Sequence, residues 1–177
     1  MPAGKQLMVQ AHYINVSGAV TKSADKMDVQ LVDPAKVTAY AADFVVDDDT
    51  FFIEPHSEMT TTMDCTVPQD LSLTMLLGHM HDQGKHYRLE EVDADGNVLK
   101  TLYEEEWAAS YASHPPLLQY TMEEPLKLAK GTILRQTCSW NNITDASLAF
   151  PTEMCIAFGY YFPGTDRIMC ERVEATP

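Results

Sequence analysis

Basic residues are scarce in this chain: 12 Lys and Arg stand against 26 Asp and Glu among 177 residues, for a formal net charge of −14. Binding to a nucleic-acid backbone or an anionic lipid surface needs clustered cations, and the sequence has no such cluster. No apolar run approaches the roughly 20 residues that span a bilayer. We therefore expect neither a nucleic-acid nor a membrane partner.

A sustained helical period of apolar residues is also missing. Short runs rich in Val, Thr, Tyr, Phe and Ile instead alternate with Pro, Gly and Asp turn signals. The sequence predicts an all-β fold, an antiparallel β-sandwich or jelly roll, as a single domain over residues 1–177. The candidate strands are 6–16, 27–32, 36–46, 50–54, 57–65, 71–81, 86–93, 98–103, 117–128, 132–140, 153–162 and 167–173.

Several common motifs are absent, namely a Gly-rich phosphate loop, a nucleophile elbow and a Cys-X-X-Cys pair. The four cysteines are an even number that suits two disulfides in an oxidising compartment, with three possible connectivities. The first residues do not resemble a signal peptide, so the chain is either intracellular or without its targeting segment, and the cysteines lead us to expect a secreted or periplasmic protein. Asn15 and Asn142 each begin an N-glycosylation sequon. The cysteines are Cys65, Cys138, Cys155 and Cys170.

The segment 71–81 ends in a His-X-His pair. Strand parity places His79 and His81 on one face, about 7 Å apart at the backbone given a rise of about 3.3 Å per residue, as a two-nitrogen metal half-site. A surface pair without a metal fits the same spacing. The residues predicted to share this face are Leu71, Leu73, Met75, Leu77, His79 and His81.

A methionine stands beside a cysteine in the predicted strand 153–162. Parity lets Met154 present its thioether to one face while Cys155 turns to the other. The chain has ten methionines, so a core position for Met154 is an equally simple interpretation.

Taken together these pieces resemble a family. Their order and spacing are similar to the second of two catalytic-core domains in the copper type II, ascorbate-dependent monooxygenases, which include the peptidylglycine alpha-hydroxylating and dopamine beta-monooxygenases. The resemblance covers about residues 6–170. The residues that carry it are Cys65, the run 79–85 (His-Met-His-Asp-Gln-Gly-Lys), Cys138, the run 152–155 (Thr-Glu-Met-Cys) and Cys170.

The resemblance implies that His79, His81 and Met154 bind the copper that receives oxygen. Two imidazoles with a soft thioether also favour Cu(I) on chemical grounds, although zinc is an alternative at the imidazoles. The disulfide pairing Cys65–Cys170 and Cys138–Cys155 is likewise implied by the resemblance, and four buried thiols are the alternative.

The family's electron-transfer domain, with three histidines on a second copper, has no counterpart here. The remaining histidines are scattered singly and fit ordinary surface or core positions. His86 is the exception, because its place on the predicted hairpin brings it within reach of His81. A catalytic reaction would therefore need a partner domain or protein with a three-histidine copper site, together with ascorbate or another reductant. The scattered histidines are His12, His56, His86 and His114.

The substrate positions depart from the peptide-processing members of the family. Where those carry an arginine, an asparagine and a tyrosine that hold a carboxylate, this chain has Leu77, Ile156 and Phe158. A peptide carboxylate has no anchor there, so we expect a less polar small-molecule substrate. The alternative functions are a non-catalytic copper or metal module for storage, delivery or sensing, and a β-sandwich interaction module.

Overall fold

The computed structural model describes residues 8, 9, 11 and 18–171, and the chain divides into two units, Met1–Lys36 and Val37–Pro177. The described residues of the first unit contain one 3-10 turn, Pro34–Lys36, and no strand. The predicted strand 27–32 is therefore wrong: its alternating side chains, such as Met27 and Leu31, are exposed. The predicted strand 6–16, with His12 and Asn15, falls almost entirely outside the described residues.

The second unit holds twelve strands in its described residues. They are β1 (Ala42–Asp47), β2 (Phe52–Ile53), β3 (Ser57–Thr66), β4 (Leu71–His79), β5 (Gly84–Val92), β6 (Val98–Glu106), β7 (Leu118–Gln119), β8 (Leu126–Leu128), β9 (Ile133–Asn142), β10 (Leu148–Ala149), β11 (Ile156–Phe162) and β12 (Ile168–Glu171). A 3-10 turn, Ala109–Ala112, lies after β6. Among these residues there is no α-helix, and no helix is long and apolar enough to cross a membrane.

The strands form two main sheets. One has six strands in the order β12-β1-β11-β4-β7, with β8 also paired to β4; the other has four in the order β3-β9-β5-β6. Every pairing is antiparallel except that of β1 with β12. The small strands β2 and β10 pair with each other. The all-β, antiparallel sandwich predicted from the sequence is confirmed.

One hydrophobic core joins the two sheets. In β9, for example, buried residues alternate with more exposed ones, as expected for a strand with one face inward. The core includes Phe44, Val46, Leu73 and Leu76 from the six-stranded sheet and Met63, Tyr87, Leu89, Leu134 and Trp140 from the four-stranded sheet.

Both predicted disulfides are present, and no cysteine in the described part of the chain is free. The Cys65–Cys170 bond joins β3 to β12, and the Cys138–Cys155 bond joins β9 to the residue just before β11. Each bond therefore ties the four-stranded sheet to the six-stranded sheet. The alternative of four buried thiols is wrong.

A β-bulge interrupts the regular alternation of β4. Opposite β11, Met75 pairs with Tyr160 and Leu73 with Tyr161, so Thr74 has no register partner on β11. An extra residue of this kind reverses the side-chain faces that follow it. Leu73 and Leu76 both point into the core as a result.

The predicted common face from Leu71 to His81 is therefore wrong beyond Leu73. After the bulge, Met75, Leu77 and His79 are only partly buried, while the intervening Leu76 and Gly78 are buried. The strand also ends at His79, two residues earlier than predicted. His81 thus lies outside the regular alternation.

Asn142, the last residue of β9, is a buried structural asparagine. Its amide nitrogen donates to the carbonyl oxygens of Glu54 (2.9 Å) and Ala146 (2.8 Å). Its side-chain oxygen accepts hydrogen bonds from the backbone N–H (3.0 Å) and hydroxyl (2.7 Å) of Thr144. The side-chain amide nitrogen of this sequon asparagine is therefore buried in the folded protein and already donates two hydrogen bonds.

We expect Asn142→Ala to lower the free energy of unfolding by about 2–3 kcal/mol, because it leaves buried carbonyl groups without a donor. Urea unfolding of the variant beside wild type measures this loss. The neighbouring Asn141→Ala is the control, since Asn141 is exposed and should change stability by less than about 0.5 kcal/mol. Equal losses in the two variants would contradict the structural role.

Candidate metal centre

Two imidazoles meet at the end of β4. The ring centroids of His79 and His81 are 5.1 Å apart, with an interplanar angle of 79°. Two imidazoles that bind one ion at about 2.0 Å with a roughly tetrahedral angle have centroids about 5 Å apart. The intervening Met80 is fully buried, which anchors the backbone between the two rings. The ring separation is compatible with two ligands of a single ion, and the edge-to-face angle is also that of an ordinary aromatic contact.

The His81 ring is fixed by the segment that precedes Met154. Its Nδ1 lies 2.8 Å from the backbone carbonyl oxygen of Thr152. A carbonyl can only accept, so Nδ1 carries the proton and Nε2 keeps its lone pair. A hydrogen bond of this kind is the usual partner of a metal-binding histidine. The Trp107 indole N–H also donates to the His81 carbonyl oxygen at 2.9 Å.

His79 lies on the outward face of β4, opposite Ile156 of β11 in the strand register. Partial burial lowers its pKa below the usual histidine value, and the neighbouring imidazole of His81 lowers it further. Both effects favour the neutral ring, the form in which an imidazole nitrogen binds a metal.

Met154 lies before β11 rather than within it, so its predicted strand parity does not apply. It is partly buried and stands between Glu153 and Cys155, which are both buried. The Cys155 carbonyl oxygen accepts hydrogen bonds from the Gln136 side-chain amide and from the Asp48 backbone N–H. The disulfide and these bonds hold the backbone on one side of Met154.

The residues on either side of Met154 contact the two histidines. Two residues before it, Thr152 binds the His81 ring, and two residues after it, Ile156 pairs with His79. The structure thus brings the predicted ligand segments to one edge of the six-stranded sheet, although they are more than 70 residues apart in the sequence.

Within the described residues, no group of three or more His, Cys, Asp or Glu side chains is arranged to hold a metal ion. Met154 as a third ligand is the expectation that the family resemblance gives, and a thioether suits Cu(I) better than zinc.

The three apolar substrate candidates lie on the same face as His79. Leu77 pairs with Phe158, and Ile156 pairs with His79, across β4 and β11. The Phe158 ring centroid is 6.1 Å from that of His79. Of the three, Ile156 is buried, while Leu77 and Phe158 are partly buried.

Two of the other described histidines, His86 and His56, have side-chain partners of their own. His86 Nε2 lies 3.0 Å from the Glu104 carboxylate, and His56 Nε2 lies 2.8 Å from that of Asp145. His86 also lines an open cavity of about 480 Å³ on the four-stranded sheet, among charged residues such as Lys85. The hydrogen bond of His86 is thus to Glu104, and its predicted role beside His81 stays a prediction.

Comparison with known proteins adds little to this geometry. No protein-family model matches the sequence, and no curated protein matches it significantly. The chain is similar to a chain in the structure of the infectious bursal disease virus Gx strain, with 13% identity over 78% of this chain and a TM-score of 0.33. This chain covers 38% of that viral chain. A likeness this weak carries no argument about function.

Proposed function

We propose that this domain binds one copper ion through His79, His81 and Met154 and corresponds to the oxygen-binding half of a copper type II monooxygenase. The observation that carries the proposal is the paired geometry of the two imidazoles, with a ring-centroid separation of 5.1 Å. When bound, copper would supply oxygen activation for hydroxylation of a C–H bond.

Each of the three proposed ligands has a different role. His79, whose pKa is lowered by burial, would offer a nitrogen lone pair. The Thr152 carbonyl oxygen holds the His81 proton on Nδ1 and directs Nε2 towards the ion. Met154 supplies a soft sulfur that stabilises the reduced state of copper.

The reaction would need electrons from outside this chain. Within the described residues His56, His86 and His114 are single, so none forms a second histidine pair. We propose that ascorbate or another reductant delivers electrons through a partner domain or protein with a three-histidine copper site. The two disulfides favour a secreted or periplasmic location for this assembly.

The apolar side chains beside His79 support a proposal about the substrate class. Leu77, Ile156 and Phe158 offer no charged or hydrogen-bonding side chain beside the imidazoles. We therefore propose a small, weakly polar substrate, and expect no binding of glycine-extended peptides by calorimetry at micromolar concentrations.

The decisive experiment is an anaerobic Cu(I) competition titration. Wild type should bind one equivalent, and His79→Ala and Met154→Ala should each weaken binding by about 100-fold or more, because each removes a direct ligand. His56→Asn is the control, since His56 pairs with Asp145 away from this edge, and it should bind like wild type. Weak binding by wild type, or unchanged binding in both ligand variants, would overturn the proposal.

A non-catalytic copper module is the second candidate, favoured by the lack of a second histidine pair among the described residues. The two functions separate once copper binding is established. Ascorbate-dependent oxygen consumption with product formation, on addition of the partner, supports the monooxygenase. Stable binding with no turnover under these conditions favours storage, delivery or sensing. If no copper binds, an interaction module is the remaining interpretation.

A further inference from the structure

Glu153 is a buried carboxylate directly beside Met154. Only 1% of the residue is exposed, and among the described residues no Lys, Arg or His forms an ion pair with it. A buried charge of this kind persists only where hydrogen-bond donors replace water. The hydrogen-bond donors around Glu153 must therefore account for its burial.

Three N–H groups converge on this carboxylate. The backbone N–H of His81 donates to Oε2 (3.0 Å) and that of Gln83 to Oε1 (2.8 Å). The indole N–H of Trp140 donates to Oε2 at 3.1 Å. Both oxygens thus accept hydrogen bonds. Two of the three donors are backbone N–H groups, one of the proposed copper ligand His81 and one of Gln83, two residues later.

The donors connect the carboxylate to two rigid parts of the fold. The turn after β4 is closed by the Gly84 N–H, which donates to the His81 carbonyl oxygen at 3.3 Å. Trp140 is fully buried, and its ring stacks on Phe51 with centroids 4.6 Å apart. The carboxylate therefore links the turn that carries His81, the core, and its own segment with Met154.

We propose that Glu153 is a positioning residue that couples His81 to Met154, so that both reach the same copper ion. This inference rests on the proposed function. The carboxylate sets the distance between the two ligand segments through the backbone, while the Thr152 carbonyl sets the orientation of the His81 ring. Neither of these groups is proposed as a ligand.

The two oxygens of a carboxylate are essential to this role. A glutamine has one acceptor oxygen, and its NH₂ group would face an N–H donor. Glu153→Gln therefore keeps the size of the side chain but loses at least one of the bonds to His81, Gln83 and Trp140. The turn and the methionine segment should then move apart while the disulfides keep the fold together.

The test combines a metal-free and a metal-bound measurement on the full chain. Amide hydrogen exchange by NMR reports the His81 and Gln83 N–H groups, and X-ray absorption with Cu(I) reports sulfur in the coordination shell. Glu153→Gln should lose amide protection at these two positions, lose the copper–sulfur signal and weaken Cu(I) binding by about 10–100-fold. Glu90→Gln is the matched control, because Glu90 is also buried, beside Arg88 on the other sheet.

The outcomes are separable. A copper–sulfur signal and amide protection retained in folded Glu153→Gln overturn the positioning role, as does equal loss of the signal in Glu90→Gln. If wild type binds no Cu(I), the proposed function falls, and the link between the two segments is then judged on amide exchange alone. If Glu153→Gln does not fold, Glu153→Asp keeps the charge on a side chain one methylene shorter and is judged by the same signals.

Discussion

Removing the Cys65–Cys170 disulfide is expected to lower the free energy of unfolding by about 4–5 kcal/mol. The bond closes a loop with a sequence separation of 105 residues. Chain-entropy arguments assign about 4.7 kcal/mol to a loop of about 100 residues, because the open unfolded chain gains so many conformations. Urea unfolding of Cys65→Ala/Cys170→Ala beside wild type, both fully oxidised, measures the loss.

The other disulfide is the matched control. The Cys138–Cys155 bond has a sequence separation of 17 residues, for which the same model gives about 3 kcal/mol. Its loss should nevertheless weaken Cu(I) binding more than the loss of Cys65–Cys170, because Cys155 adjoins Met154. A greater loss of stability from the shorter loop would contradict the entropic explanation.

Gly78→Ala is expected to destabilise the protein by about 3 kcal/mol. A Cβ at position 78 would lie 2.5 Å from Cε1 and 2.8 Å from Cγ of Tyr87. The Tyr87 ring is fully buried, and its hydroxyl donates to the Gln136 side-chain oxygen at 2.7 Å, so the ring has little room to move. Overpacking of this kind in a core costs about 1–3 kcal/mol. Thermal or urea unfolding provides the measurement.

A double-mutant cycle with Tyr87→Leu isolates this contact. Removing the ring should reduce the penalty of Gly78→Ala to less than about 1 kcal/mol, because the added methyl group then has space. The same penalty in both backgrounds would mean that another neighbour causes the strain. Since Gly78 precedes His79, we also expect Gly78→Ala to weaken Cu(I) binding, and Tyr87→Leu to restore part of it.

Much of the sheet structure could be predicted from local patterns. The sequence places β3 and β9 within one or two residues of their observed ends, because both are short runs with β-branched residues between turn signals. The predicted strand 27–32 was chosen on the same grounds, yet its residues are exposed and make no strand. A local pattern shows which residues suit a strand; whether a neighbouring strand is present depends on the rest of the fold.

The candidate site, too, could be predicted only in part from local sequence patterns. The sequence predicts His79, His81 and Met154 as ligands, which stays a prediction, but it assigns the face of β4 wrongly because Thr74 adds one residue opposite β11. Glu153 was part of the family-like motif without an assigned role. Its donors at His81 and Gln83 lie about 70 positions away in the sequence, so no local pattern could reveal them.

The strand order of the six-stranded sheet has a consequence for biosynthesis. Its central strand, β11, separates β1 from β4, although β11 follows β4 by more than 75 residues in the chain. A ribosome adding roughly 5–20 residues per second needs on the order of 4–15 s to make that interval. During that time β1 and β4 have no central partner, and the nascent chain holds His79 and His81 without the proposed third ligand Met154. Folding of this sheet, and any loading of metal at its edge, therefore follows translation of β11.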